Sequence, residues 1–146
     1  MVTSRSPRPL WTCPTCGRRF VTANLWHSCY VGTVDDFFTD HAGLRPLFDA
    51  YVAFVETIGP FTVEVVRTRI SFVTRARFAG VVRLRRDALV AGFWLKREVR
   101  SDRFTKVEHI ERRDWVYQLL LRSAADLDDE LHGWLREAYE VGQQQA

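Results

Sequence analysis

Four side chains near the amino end of the chain are of the types that bind transition metals. They are Cys13, Cys16, His27 and Cys29, and they include every cysteine in the sequence. A Cys-x-x-Cys pair followed after ten residues by a His-x-Cys pair is typical of a tetrahedral zinc site in an intracellular protein. Gly17 is free to adopt a positive φ, so the turn behind Cys16 can direct both thiolates at one point.

This ligand set predicts a structural zinc ion. Four protein ligands fill a tetrahedral shell and leave no open position for an activated water. Arg18 and Arg19 follow the first pair and would offset the negative charge of the thiolates. A disulfide framework would leave one of the three cysteines unpaired. Three alternatives stay open: buried thiols without metal, an ion that only staples a short segment, and a finger that reads bases.

Beyond the ligands, residue spacing predicts two helices. Thr33 and Asp36 form a capping pattern at the start of the first helix, which ends before Gly59 and Pro60. Apolar residues recur three and four positions apart in this helix, and they are Leu44, Leu47, Phe48, Tyr51, Phe54, Val55 and Ile58. A second capping pattern opens the last helix, and it consists of Ser123 and Asp126.

Between the two helices the hydrophobic period changes to two, which predicts β-strands. The alternation runs from Phe61 to Phe78, and extended stretches follow at residues 81–86, 89–96, 104–110 and 115–121. We therefore predict an α+β protein, with helices packed on one face of an antiparallel sheet of about five strands and an N-terminal zinc finger-like knuckle. The predicted boundaries are 1–31 for the basic zinc-binding knuckle, 32–142 for the α+β domain and 143–146 for a frayed tail.

Charge is concentrated in the predicted sheet. Residues 67–113 carry fourteen Lys or Arg against five acidic residues, whereas residues 30–66 and 114–146 each have a net charge of −5. Such a basic block indicates an anionic partner such as nucleic acid, although acidic helices that neutralise a basic sheet would give the same pattern.

The alternation suggests which side chains would contact that partner. If arginines of the sheet project from one face, they form a surface suited to phosphate oxygens; they are Arg67, Arg69, Arg75, Arg77, Arg83 and Arg85. Arg18 and Arg19 of the knuckle would add to this nucleic-acid-binding set. Phe72 and Phe78 fall on the opposite parity, so recognition of the nucleic acid backbone is favoured over base stacking. The alternative is an exposed basic face that only keeps the sheet soluble.

No signature of catalysis is present. The sequence has neither a glycine-rich phosphate loop nor a nucleophile elbow, and the ion would occupy all the cysteines. We therefore expect a binding protein for DNA or RNA without intrinsic catalysis, and the alternatives are a protein-interaction adaptor or an enzyme or binder of a small anionic ligand. No apolar run is long enough to span a membrane, and residues 1–9 are polar and basic, so we expect a cytoplasmic protein.

The N-terminal motif is similar to the two-cysteine two-histidine zinc fingers. The similarity rests on Cys13, Cys16, Phe20, Leu25 and His27, of which Phe20 and Leu25 match the small hydrophobic core of those fingers. The gap before the histidine is shorter here, and the last ligand follows two residues later. A regular helix cannot present ligands with that spacing from one face, so the last two ligands are predicted at a frayed helix end or in a turn.

The segment from about Val34 to Tyr139 resembles a bacterial domain-of-unknown-function family, number 5655. The resemblance rests on residues 67–72, 77–79, 106–108, 127–131, 134–135 and 138–139. It implies an α+β domain that also occurs behind short zinc motifs or nuclease-like domains. It implies no activity and no catalytic residues.

Overall fold

The computed structural model describes residues 9–27, 29 and 32–144 of the chain. The predicted α+β architecture is confirmed: a large antiparallel sheet lies against helices, and a separate two-stranded sheet lies at the amino end. The small sheet consists of β1 (Trp11–Thr12) and β2 (Arg19–Phe20). The strands of the large sheet are β3 (Thr62–Val65), β4 (Ile70–Val73), β5 (Arg77–Leu84), β6 (Leu89–Leu95), β7 (Phe104–Glu111) and β8 (Asp114–Leu121).

The large sheet therefore has six strands, and the prediction of about five was too low. The spatial order is β3-β4-β5-β6-β8-β7, so only the connection from β6 to β7 skips a neighbour. The additional strand arises because a tight turn divides the alternating segment after Phe61 into β3 and β4. In that turn the Val66 N–H donates to the Arg69 carbonyl at 2.9 Å.

The helices are α1 (Val34–Phe37), α2 (Arg45–Glu56) and α3 (Asp129–Gln143). The first predicted helix is thus interrupted, because a turn and a 3₁₀ segment (Ala42–Leu44) separate α1 from α2. The Thr33 cap is confirmed, since its hydroxyl accepts the Asp36 N–H at 3.1 Å. The Ser123 and Asp126 capping box is also present, but it caps a 3₁₀ turn, and Asp128 caps α3 itself.

A set of aligned residues across the sheet packs against the helices. The register aligns Phe72, Ala79, Phe93 and Tyr117 across four strands, and all four side chains are buried. In α2, Tyr51 packs on Phe72, and in α3 Trp134 stacks on Phe93. Both long helices therefore cover the same face of the sheet. No helix in the described part of the chain is long and apolar enough to cross a membrane.

The carboxyl end of α3 is fixed to the turn between β4 and β5. The Gly142 carbonyl accepts the Ala76 N–H at 2.9 Å, and the Arg75 Nε donates to the Gln144 side chain at 2.9 Å. A Cβ on Gly142 would lie 2.8 Å from Phe78, so only glycine allows this close approach. Gln143 is the last residue of α3, and residues 145–146 of the predicted tail lie outside the described residues.

Gly80 in β5 has φ +154°, and a Cβ at this position would lie 2.1 Å from the Ile70 carbonyl oxygen. We predict that Gly80→Ala lowers the free energy of unfolding by about 2–3 kcal/mol, because the backbone of β4 must move to accept the methyl group. Gly133→Ala is the matched control, since Gly133 is exposed in α3 with no atom within 4 Å of an added Cβ. It should stabilise α3 by about 0.5–1 kcal/mol. Urea unfolding curves measure both effects, and equal stability of the two variants would contradict the close approach.

Candidate metal centre and arginine surface

A short hairpin positions the first two metal-ligand candidates. Trp11 in β1 pairs with Phe20 in β2, and the chain between the strands turns at Gly17, which has φ +76° as expected. The Cys13 N–H donates to the Arg18 carbonyl at 2.8 Å, and the Gly17 N–H donates to the Cys13 carbonyl at 2.9 Å. These two bonds close the turn and place the sulfurs of the Cys-x-x-Cys pair on one side of it.

The four predicted ligands converge. Their ligand atoms all lie within 4.8 Å of one another. The Cys13 and Cys29 sulfurs are 3.8 Å apart, and the His27 Nε2 lies 3.3 Å from the Cys16 sulfur and 3.5 Å from the Cys29 sulfur. A tetrahedral ion with metal–sulfur bonds of about 2.3 Å requires sulfur atoms about 3.8 Å apart. Cys13, Cys16, His27 and Cys29 are therefore close enough to bind one metal ion.

The ring of His27 is oriented for this role. Its Nδ1 lies 2.7 Å from the Leu25 carbonyl, so Nδ1 carries the proton and the lone pair of Nε2 is directed at the sulfurs. Phe20 packs on the imidazole at 4.3 Å between ring centroids, and Trp11 lies edge-on at 6.2 Å. The hydrogen bond to the Leu25 carbonyl raises the pKa of His27. Backbone and aromatic contacts together fix both the tautomer and the tilt of the ring.

The three thiols differ in acidity. The Cys16 backbone N–H lowers the pKa of Cys13 to about 6, so this sulfur is a thiolate at neutral pH. Burial opposes ionisation of Cys16, but hydrogen bonds from the Arg18 backbone and from His27 lower its pKa. Burial, together with smaller effects of the neighbouring Cys13 and Cys16 sulfurs, raises the pKa of Cys29 to about 11. Cys29 therefore keeps its proton until a cation displaces it.

The last two ligands, His27 and Cys29, lie in irregular backbone and not at a helix end, which was one of the two positions that the spacing predicted. Described residues between β2 and His27 form bends and a turn, and Asn24 adopts the left-handed conformation with φ 57°. Of the two residues matched to the small hydrophobic core of zinc fingers, Phe20 packs on His27, but Leu25 is 42% exposed. The match at Leu25 was wrong, because the segment has no helix that would turn this side chain inward.

The predicted arginine surface is divided between the two ends of the sheet. Arg67 and Arg69 lie in the turn between β3 and β4, and Arg75 lies in the turn between β4 and β5. The prediction that these three arginines lie in strands was therefore wrong. In the antiparallel order, Arg83 near the end of β5 and Arg85 just after it lie at the same end of the sheet as Arg67 and Arg69. Arg75 lies at the opposite end.

Two further arginines that the sequence did not indicate join this group. The register aligns Leu84, Leu89 and Leu121, so Arg86 after β5 and Arg122 after β8 lie at the same end of the sheet. We call the group the arginine end; its members are exposed and are Arg67, Arg69, Arg83, Arg85, Arg86 and Arg122. Arg86 ends a predicted strand and Arg122 follows one, and these positions could have indicated the group from the sequence. Alternate hairpin turns of an antiparallel sheet lie at the same end of it.

The remaining predicted arginines have different surroundings. Arg77 lies at the start of β5, and its guanidinium lies 5.6 Å from the ring centroid of Trp94. Burial lowers the pKa of Arg77, and the positive charge of Arg69 adds to this effect. Arg18 and Arg19 line a cavity of about 270 Å³ together with Glu64 of β3. They therefore lie beside the first strand of the sheet and not at the arginine end.

The knuckle also exposes a large aromatic side chain that sequence reasoning missed. Trp26, directly before His27, is 89% exposed. Because it lies in irregular backbone between metal-ligand candidates, no periodicity indicates it.

Comparison with protein families assigns the α+β domain to a known family. The family model described as Domain of unknown function (DUF5655) matches residues 34–142, and the chain belongs to this family. Searches of curated proteins and of solved structures give no match. The family thus covers α1 to α3 and the whole large sheet, and the four metal-ligand candidates lie before it.

We predict that the chain binds one divalent ion, with an affinity that falls at least tenfold for each unit of pH lowered between about pH 8 and pH 6, and more steeply near pH 6, where His27 must also lose a proton. The sign follows from the pKa of Cys29: at about 11 it is far above neutral pH, so binding must displace its proton. Competition with a chelating indicator at several pH values measures this slope. His27→Gln should abolish binding, and Trp26→Ala should leave the affinity unchanged. A pH-independent affinity would contradict the ligand set.

Proposed function

We propose that this protein is a non-catalytic, zinc-containing module that binds the backbone of nucleic acid. The arginine end of the sheet is the contact surface, whereas Arg18 and Arg19 of the knuckle lie beside β3 and outside this surface. The observation that supports this most directly is the grouping of six exposed arginines at one end of the sheet. Guanidinium groups match phosphate oxygens in geometry and charge.

Five of the six arginines at the arginine end form no ion pair with a carboxylate among the described residues. These five are Arg69, Arg83, Arg85, Arg86 and Arg122. By contrast, Arg97 and Arg103, outside the group, bind carboxylates of α3 or its cap. The side chain of Asp126, the acid nearest to Arg122 in sequence, accepts the backbone N–H groups of Arg122 and Ser123 and is thereby held in the capping box. These five arginines are therefore available to an external anion.

Zinc is the ion that suits the knuckle best. Three thiolates and one imidazole are soft and borderline ligands, which favour zinc over the oxygen-seeking magnesium and calcium ions. Four protein ligands leave no site for a water nucleophile, so the ion stabilises the knuckle and takes no part in a reaction. The short hairpin has a small core of Trp11, Phe20 and His27, and a segment of this size requires an ion to hold its fold.

A second candidate function is a protein-interaction adaptor. It is favoured by exposed apolar side chains on the knuckle, which are Val21, Leu25 and Trp26. In that case the partner would contact the knuckle, and the arginine end would only keep the sheet soluble. The two functions require contacts at different parts of the molecule. Substitutions at the arginine end and at the knuckle therefore distinguish between them.

The arginine pair Arg85 and Arg86 tests the first function, and Arg112 and Arg113 provide a matched control. Both pairs are exposed and adjacent in hairpin turns, but they lie at opposite ends of the sheet. We predict that Arg85→Ala with Arg86→Ala weakens binding to duplex DNA and lowers the slope of log affinity against log salt by about 1.8, since each phosphate contact contributes about 0.9. Arg112→Ala with Arg113→Ala should change the slope little.

Fluorescence anisotropy with labelled duplexes of DNA and RNA, between about 50 and 200 mM salt, gives both quantities. Binding that does not depend on salt, or an equal loss for the two arginine pairs, would exclude the proposed surface. No binding to either duplex, together with a protein partner that the unmodified chain retains and the Trp26→Ala variant loses, would favour the adaptor function.

A further inference from the structure

The two outer strands of the large sheet differ in length and surroundings. β3 has four residues, and the knuckle lies beside it, since Gly17 and Arg18 line the same cavity as Thr62 and Glu64. β7 has eight residues and pairs with β8 along one side only. Among the described residues, β7 therefore offers the longer unpaired backbone edge, to which a further strand can add.

β7 also exposes apolar side chains. Val107 is 45% exposed and Ile110 is 48% exposed. The register pairs Val107 with Tyr117, which is fully buried on the face that carries the helices. Val107 thus lies at the rim of the core, where a neighbouring strand would cover it.

The charges around Val107 are self-complementary. Lys106 precedes it and Glu108 follows it, and these two side chains form an ion pair at 2.9 Å within the strand. In an antiparallel pair of β7 strands with its two-fold axis at Val107, Lys106 lies opposite Glu108 of the partner subunit. By the same symmetry, Glu108 lies opposite the partner's Lys106. A lysine on an outer strand commonly opposes strand addition, but here an inverted copy brings the matching charge.

The irregularities of β7 define where this pairing is possible. Register shifts against β8 occur between Phe104 and Lys106 and between His109 and Glu111. Between them the pairing with β8 continues without interruption from Lys106 to His109. This regular segment includes Val107 and both charges, so a second strand would meet straight backbone only around the two-fold axis.

We propose that two copies of this chain associate through β7, with Val107 against the partner's Val107 and with two reciprocal lysine–glutamate pairs. The six-stranded sheets of the two copies become continuous across the two-fold axis. This association does not depend on the function proposed for the arginine end.

A charge-swap experiment on the full metal-loaded chain tests the association. Sedimentation velocity up to high micromolar concentration should show a particle of twice the 17.0 kDa of one chain. Lys106→Glu alone and Glu108→Lys alone should each remain at the mass of one chain, because like charges then lie opposite each other. Mixing the two variants in equal amounts should restore the double mass, since each supplies the charges that the other lacks.

The mixture separates association from folding and from the ion pair within the strand. Chains that failed to fold would not combine on mixing, and restoration in the mixture cannot come from a pair within one strand. Arg112→Glu carries the same charge change in the adjacent turn and should associate like the unmodified chain. A monomeric unmodified chain, single variants that associate equally well, or a mixture that stays monomeric would each overturn the proposal.

Discussion

The contact between α3 and the central strands is the constraint on which the rest of the structure depends. Trp134 stacks on Phe93 of β6, and Tyr139 packs edge-on against Phe78 of β5. The Tyr139 hydroxyl also donates to the Pro60 carbonyl at 2.6 Å, which fixes the chain between α2 and β3. α3 therefore contacts both the central strands and this connection, and α2 packs on the same face of the sheet through Tyr51 on Phe72. The sheet then determines the positions of the hairpin turns that contain the arginine end.

Local chemistry made the metal centre predictable. The identity and spacing of Cys13, Cys16, His27 and Cys29 already specify a convergent set, since a tight turn and a short return segment are enough to assemble it. The caps at Thr33 and Ser123 were equally visible, because a cap depends on residues three positions apart. The distances confirm that the four ligand candidates converge and that both caps form.

Other features depend on contacts that are remote in sequence. The turn at residues 66–69 has the sequence Val-Arg-Thr-Arg, without Gly, Pro or Asn, so the alternation seemed to continue through it and the two arginines were assigned to a strand.

Bulges in β5 insert Phe78 and Val82 between paired positions, and each bulge resets the alternation that the prediction of an arginine face required. The interruption of the first helix follows from Phe38, which packs on Phe48 and is buried, a tertiary contact without a local signal. Four predicted arginines nevertheless meet, because hairpin connectivity gathers alternate turns at one end.

The difference in length between the two outer strands limits how the sheet can be extended by further strands. Growth of an amyloid-like fibre through backbone pairing requires an accessible border on both sides of every molecule. Among the described residues, the candidate metal-binding segment lies beside the four-residue strand β3, while the eight-residue strand β7 presents the longer accessible border. A sheet with one long and one short border favours the addition of a single further strand over continued growth, since pairing along the short border would involve only four residues.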